Sequence, residues 1–101
     1  MNKKKLGLSK LEKIIRRAKP ELKNKFKVKR IGIFGSRVKG LSRKNSDLDV
    51  LVEFSSSVDI LEFIALENYL IDQTGTKVDL VSRKALRPEF KKQVLSEVVY
   101  I

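Results

Sequence analysis

The chain has 101 residues, of which 42% are hydrophobic and 35% charged, and its formal net charge is +11. This length supports one domain, expected over residues 1–101, with a single modest core, and the hydrophobic fraction excludes general disorder. The chain contains no cysteine and no histidine, which excludes disulfides, thiolate or imidazole metal sites and catalytic triads. Any metal must therefore be held by oxygen, which favours magnesium or manganese.

Positive charge is concentrated in the first part of the chain. Residues 1–44 hold 17 of the 23 Lys and Arg but only two of the 12 acids. A basic half favours an anionic partner, such as a nucleotide, a nucleic acid or an acidic protein, although a lysine-rich solvated surface has the same composition. The apolar runs are too short for a membrane span or a signal peptide, so we expect a cytoplasmic protein.

The first predicted element is a helix over residues 9–19. Ser9 and Glu12 have the spacing of a capping box, and apolar residues follow at helical intervals. Residues 1–7 are expected to form a flexible basic arm. Proline fixes φ and lacks an amide donor, so Pro20 is expected to break or restart the helix.

Two strands with a basic loop between them are predicted next. Residues 27–34 are polar at first and apolar at the end. Residues 47–54 alternate, which places Asp47 and Asp49 on one face of the strand and their apolar neighbours on the other. Residues 35–45 form the loop.

The remaining elements complete a small sheet with helices packed on it. Asp59 is expected to begin a second helix and Gly75 to end it. Residues 77–81 are the third strand, in which Asp79 points away from its apolar neighbours, and Pro88 opens the last helix. The order α, β, β, α, β, α predicts the α/β (α+β) class, with a small mixed β-sheet of three or more strands.

The most informative motif joins the first two strands. Gly35 and Ser36 are followed by ten residues and then by Asp47 and Asp49. Glycine allows the backbone to approach an anion closely, and Ser36 can donate from its hydroxyl and its amide to a phosphate. Among the basic residues nearby, Arg37 is best placed to contact phosphate or to brace the loop.

Three aspartates in apolar strand surroundings are candidate metal ligands. Asp47 and Asp49 lie about 6.5–7 Å apart along their strand, and Asp79 is the candidate third ligand from a neighbouring strand. One or two ions held there would orient an attacking oxygen and stabilise a leaving pyrophosphate. Each feature alone also fits a turn, a cap or a solvated strand residue. Together, three such acids would cost folding free energy without a cation to neutralise them.

The Gly-Ser-x10-Asp-x-Asp spacing, with a lone aspartate on a later strand, resembles the DNA polymerase β-type nucleotidyltransferase superfamily. The short length, together with the segments 78–81, 86–88 and 98–101, resembles its minimal nucleotidyltransferase (MNT) branch. The resemblance covers residues 28–101 and implies a polymerase β-like nucleotidyltransferase fold that uses ATP and magnesium, with manganese as an alternative ion. It also implies that the nucleotide contacts Gly35 and Ser36, and that the catalytic metal ligands are Asp47, Asp49 and Asp79; Arg37 beside them is a further candidate nucleotide contact.

The same resemblance implies a protein partner. In that branch, the MNT chain is the antitoxin of a type VII-like toxin–antitoxin pair. It moves AMP from ATP onto a tyrosine of a toxin with a HEPN domain. The resemblance thus implies a metal-dependent protein adenylyltransferase with a HEPN partner.

Two alternatives remain open. The chain is small, so a catalytically silent antitoxin that neutralises its HEPN partner by binding alone also fits. A nucleic-acid-binding or nucleic-acid-extending protein fits the basic first half. This second alternative is less favoured, because the phenylalanines fall mostly at core positions and leave no stacking platform for bases.

Overall fold

The computed structural model describes residues 3–35 and 47–101. Three helices and four strands make up this part of the chain, with a short 3-10 helix, Arg83–Ala85, before the last helix. In chain order the elements are α1 (Lys3–Phe26), β1 (Val28–Phe34), β2 (Leu48–Phe54), α2 (Ile60–Thr74), β3 (Val78–Ser82), α3 (Pro88–Glu97) and β4 (Val99–Tyr100).

The strands form one mixed sheet in the order β3-β2-β1-β4. β1 runs antiparallel to β2, with Ile33 opposite Val50, and an irregularity between Val28 and Arg30 shifts the register at the start of β1. β2 and β3 are parallel, as expected for two strands that a helix connects. β4 is a short antiparallel edge strand beside β1.

The core lies between one face of this sheet and the helices α1 and α2. Alternate residues of each strand point to that face, and β-branched and leucine side chains fill it. The buried residues of this core are Leu11, Ile15, Ala18 and Leu22 of α1, Leu66 and Leu70 of α2, and Val28, Ile31, Ile33, Leu48, Val50, Val52, Val78 and Leu80 of the strands.

Helix α1 is longer than the sequence predicted. It begins at Lys3, within the segment expected to be a flexible arm, and it continues through Pro20 to Phe26. Pro20 is exposed, while Ala18 and Leu22 on either side of it are buried. Burial of this apolar face offsets the loss of the hydrogen bond that proline removes. Tertiary packing therefore overrides the tendency of Pro20 to break the helix.

Helix α2 has the ends that the sequence predicted. The Asp59 carboxylate accepts from the amide of Glu62 at 2.8 Å, and the Glu62 carboxylate accepts from the amide of Asp59 at 3.1 Å. Gly75 ends the helix with φ of 69°, in the left-handed region that glycine adopts without a steric penalty. These two caps confirm the predicted start and end of α2.

An aromatic contact joins α1 to α2. The rings of Phe26 and Tyr69 lie 4.8 Å apart between centroids. Burial, and then a hydrogen bond to the Glu21 carboxylate, raise the pKa of Tyr69 to about 12. The same hydrogen bond is the main cause that lowers the pKa of Glu21. The two helices are therefore joined by a tilted contact between two aromatic rings and by a phenol–carboxylate pair.

The end of the chain packs on the first strand. The amide of Ile101 donates to the carbonyl of Ile31 at 2.9 Å, and Tyr100 is the register partner of Gly32. A Cβ at Gly32 would lie 2.6 Å from a methyl of Val98, so glycine is required for this close approach. The sequence analysis did not predict β4, although the run 98–101 is rich in β-branched residues.

The predicted fold class, a small mixed sheet with helices packed on it, is confirmed. None of the helices within residues 3–35 and 47–101 combines the length and the apolar character that crossing a membrane requires.

Candidate active site

Two of the three predicted carboxylates lie side by side on neighbouring strands. Asp49 of β2 and Asp79 of β3 are register partners in the parallel pair. Neighbouring strands are about 4.8 Å apart, and partners in register point to the same face of a sheet. That face is opposite the α1–α2 core, because Leu48 and Val50 on either side of Asp49 are fully buried. The structure thus brings Asp49 and Asp79 together on the outer face.

The amino ends of these strands are tied to each other by the backbone. The amide of Leu48 donates to the carbonyl of Lys77 at 2.8 Å. Asp49 is half-buried and Asp79 exposed. This bond holds the start of β2 against the start of β3, so the relative position of the two carboxylates follows from the backbone rather than from flexible loops.

Gly35 lies directly against Asp49. It follows Phe34, which is the register partner of Asp49 in the antiparallel β1–β2 pair. Its φ is +82°, and a Cβ built there would meet the Asp49 carboxylate, with the carboxyl carbon only 2.9 Å away. Only glycine combines this backbone conformation with this proximity. The glycine that begins the Gly-Ser turn is therefore required by its contact with a candidate metal ligand.

Asp47 occupies a different position from the other two acids. It is exposed and lies one residue before β2 begins. In the described segments 3–35 and 47–101, the structure contains no group of three or more His, Cys, Asp or Glu side chains that could hold a metal ion. The pairing of Asp49 with Asp79 is therefore observed, whereas a three-carboxylate site that includes Asp47 stays a prediction.

The chemistry of this pair fits a hard divalent cation. Both side chains offer carboxylate oxygens, the donors that magnesium and manganese prefer. Like charges directly opposite each other on neighbouring strands repel, and a bound cation would reduce this repulsion. Two carboxylates would fill only some of the coordination positions of such a cation. Because one side of the pair is exposed, the remaining positions would be open to a substrate.

Comparison with known protein families decides the class of the chain. The sequence model of the nucleotidyltransferase domain matches residues 15–101, which include the whole sheet and the carboxylate pair. The chain belongs to the nucleotidyltransferase domain family. The predicted resemblance and the predicted enzyme class, a nucleotidyltransferase, are thereby confirmed.

Curated relatives of this nucleotidyltransferase are archaeal proteins of similar length. It is 44% identical over 96 residues to the protein adenylyltransferase MntA of Thermococcus cleftensis, covering 95% of this chain and 97% of that protein. It is 43% identical over 95 residues to a Methanocaldococcus jannaschii protein provisionally named a protein adenylyltransferase, covering 93% and 97% of the two chains.

Solved structures with the same fold include isolated and complexed proteins. A structure described provisionally as a minimal nucleotidyltransferase has a TM-score of 0.73 at 29% identity, covering 98% of this chain and 95% of that chain. A toxin–antitoxin structure with AMP-PNP has a TM-score of 0.71 at 27% identity, covering 89% of this chain and 70% of that chain. The expected minimal nucleotidyltransferase fold is confirmed.

Two predicted nucleotide ligands of the nucleotidyltransferase, Ser36 and Arg37, lie outside the described residues, and their roles stay predictions. One contact on the outer face of the sheet was missed by sequence reasoning. The Arg30 guanidinium lies 3.8 Å from the centre of the Tyr100 ring, a cation–π contact. The apolar run at the end of the chain was the available sign of β4, which carries Tyr100.

Proposed function

We propose that this nucleotidyltransferase is a protein adenylyltransferase that moves AMP from ATP onto a tyrosine hydroxyl of a HEPN-domain toxin and acts as its antitoxin. The observation that carries the proposal is the in-register pair Asp49–Asp79 beside the Gly35 turn. Supporting it, the T. cleftensis relative is named a protein adenylyltransferase, and a 27% identical neighbour is a toxin–antitoxin structure with AMP-PNP.

The residues divide the work by position. Asp49 and Asp79 would hold the divalent ion, magnesium or manganese, with Asp47 as a third ligand, and the turn at Gly35 and Ser36 would bind the triphosphate, with Arg37 beside it. When bound, the ion would neutralise phosphate charge and polarise the α-phosphate. Asp79 is the more exposed member of the pair, which supports its assignment as the carboxylate nearest an incoming acceptor hydroxyl.

The transfer itself forms one bond and breaks one. The acceptor oxygen forms a bond to the α-phosphorus of ATP while the bond from that phosphorus to the bridging oxygen breaks, and pyrophosphate leaves with the electron pair. A carboxylate oxygen of Asp79 accepts the hydroxyl proton, because a chain without histidine has no imidazole base. The turn that Gly35 begins orients the α-phosphate toward the incoming oxygen.

Labelled ATP tests the proposal. Wild-type protein with magnesium and a HEPN-domain toxin should transfer labelled AMP to that toxin. Asp79→Asn and Asp49→Asn should each lower the transfer rate about a hundredfold or more. Asp72→Asn is the matched control, since Asp72 is an exposed aspartate on α2, which packs on the other face of the sheet. Undiminished transfer by Asp79→Asn would overturn the proposal.

The same variants separate catalysis from binding. If neutralisation of the toxin requires transfer, cells that express the HEPN protein should be protected by Asp72→Asn and not by Asp79→Asn. Protection by both variants would show that association alone neutralises the toxin. We place the enzyme in the cytoplasm, without membrane or nucleic-acid partners, because its substrates under this proposal are ATP and a protein.

A further inference from the structure

A cavity of about 910 Å³ opens at the carboxyl ends of β2 and β3. Its walls come from the connection 54–58, from Ser82 at the end of β3, and from residues of the 3-10 helix and α3. Asp49 and Asp79 lie toward the amino ends of the same strands. Glu53 on the cavity wall is four residues beyond Asp49, a distance of about 13 Å along a strand. The cavity is therefore separate from the carboxylate pair.

The position of the cavity is one that ligands use in this kind of sheet. In open α/β sheets, ligands bind in the crevice outside the carboxyl ends of parallel strands, and β2 and β3 are the parallel pair here. Small-molecule sites commonly have volumes of about 300–1,000 Å³. The cavity is thus of the size and in the place expected for a small ligand.

Three cations from two different elements converge on this cavity. Arg83 and Lys84 come from the 3-10 helix and Lys91 from α3, whereas Glu53 is the one carboxylate that the described part of the chain places on the wall. The Arg83 guanidinium lies 3.8 Å from the Glu53 carboxylate, too far for a strong hydrogen bond. The local excess of two positive charges matches a phosphate monoester.

Arg83 also carries a donor that needs an acceptor. Its Nε is buried and has no hydrogen-bond partner within residues 3–35 and 47–101. Leaving a buried donor unsatisfied costs about 1–3 kcal/mol, and such groups are rare in native proteins. Arg83 lines the cavity and its side chain is 37% exposed, so the guanidinium can contact an anion bound there.

Part of the wall is apolar. Phe54, Val58 and Leu86 contribute it, and the Phe54 ring is held by an edge contact to Phe63 with 6.3 Å between centroids. Ser56 and Ser57 add hydroxyl donors, whereas the Ser55 hydroxyl donates to the carbonyl of Lys27 at 3.2 Å. A nucleoside monophosphate has both complementary parts, a flat apolar base and a doubly charged phosphate. We propose that this cavity is a second nucleotide site, where Arg83, Lys84 and Lys91 bind the phosphate of a nucleoside monophosphate and Phe54 and Leu86 contact its base.

Nuclear magnetic resonance on the full chain, in EDTA so that the carboxylate pair holds no divalent ion, tests the site. Titration with AMP should shift the amide signals of Ser56, Ser57 and Lys84 and leave those of Gly35 and Asp49 in place. AMP should bind about tenfold or more tightly than adenosine, because charge-assisted contacts to the phosphate are lost in adenosine. Inorganic phosphate should also bind more weakly than AMP.

A matched pair of variants tests the contribution of Lys91 to binding. Lys91→Glu should weaken AMP binding about tenfold or more, whereas Lys92→Glu, an equal charge change at an exposed position on the same helix, should change it less than twofold. Equal loss in both variants would show general attraction to a basic protein and overturn the site. Equal affinity for adenosine, or shifts centred on Gly35 and Asp49, would overturn it too. Because binding is measured without metal or transfer, the result is independent of the adenylyltransferase assay.

Discussion

Asp49 and Asp79 are direct partners across the parallel β2–β3 pair, so two carboxylates of like charge face the same side of the sheet at adjacent positions. Their backbones are held by the bond between Leu48 and Lys77. Like charges at such positions repel, and a bound cation would reduce that repulsion. The arrangement therefore links the stability of the protein to the occupancy of its proposed active site.

The first prediction concerns that link. Without divalent metal, Asp79→Asn should raise the free energy of unfolding by a few tenths to about 1 kcal/mol, because it removes the repulsion between like charges. Urea denaturation measures the change, and added salt should reduce it by screening. Asp72→Asn should stay within about 0.5 kcal/mol of wild type. A loss of stability in Asp79→Asn would contradict the proposed repulsion.

The second prediction concerns the turn beside the carboxylates. Gly35→Ala places a Cβ in contact with the Asp49 carboxylate on a backbone with φ of +82°. It should lower the free energy of unfolding by about 1–3 kcal/mol and also abolish nucleotidyl transfer, since Asp49 must move.

Gly75→Ala is the matched control for that substitution. Gly75 has φ of +69°, and no described neighbouring atom lies within 4 Å of a Cβ built there. The free energy of unfolding of Gly75→Ala should fall by about 1–2 kcal/mol through backbone strain alone, and the variant should keep its transfer activity. If the two variants lose activity equally, the contact between Gly35 and Asp49 has no special role.

The third prediction concerns the docking of β4. Gly32→Ala should lower the free energy of unfolding by about 1–3 kcal/mol, because the new Cβ lies 2.6 Å from a methyl of Val98. Val98→Ala removes that methyl, so the double variant should be more stable than the sum of the two single changes predicts. A double-mutant cycle by urea denaturation measures the coupling, and simple additivity would count against this contact.

The fourth prediction concerns pH. Burial and the Glu21 carboxylate raise the pKa of Tyr69 from 10.0 to about 12, so the folded state favours the neutral phenol. Its contribution to stability is complete below pH 10 and is lost as the pH rises from 10 to 12. Since the site is half-exposed, we expect a loss on the order of 1 kcal/mol.

Comparison with Tyr69→Phe isolates this effect from the titration of the many lysines. The stability difference between wild type and Tyr69→Phe, measured by urea denaturation, should be constant up to about pH 9 and should shrink from pH 10 upward. A difference that stays constant to pH 12 would show that Tyr69 titrates equally in the folded and unfolded states.

Local signals predicted much of the fold. Asp59 and Glu62 mark the start of α2, Gly75 marks its end, and Pro88 opens α3, each because the relevant hydrogen bonds or backbone angles lie within a few residues. The three predicted strands agree with the structure to within one residue at each end. Such features depend on propensity and capping and need no knowledge of tertiary contacts.

Features that depend on distant contacts were not predicted. α1 continues through Pro20 because buried residues on both sides hold it against the sheet. β4 exists because the end of the chain pairs with Gly32 and Ile33. Neither interaction is encoded by neighbours in sequence, so hydrophobic periodicity and turn chemistry could not reveal them.

In the candidate site, too, local features were predicted from the sequence and long-range contacts were not. The spacing from Gly35 to Asp49 predicted that the turn and the carboxylates belong to one site, and Asp79 was identified by its apolar strand context. The register between Asp49 and Asp79 depends on long-range pairing of β2 with β3. From the sequence, Gly35 is expected to allow close approach of a phosphate, and the structure adds a second reason for glycine, the Asp49 side chain directly beside it.

Calorimetric titration with a non-hydrolysable ATP analogue tests the central claim most directly, namely that Asp49 and Asp79 together hold the metal-bound nucleotide. Wild-type protein should bind the analogue in the presence of magnesium and much more weakly in EDTA. The Asp49→Asn, Asp79→Asn double variant should lose this dependence on magnesium and bind at least about tenfold more weakly. Unchanged, magnesium-dependent binding by a folded double variant would contradict the account.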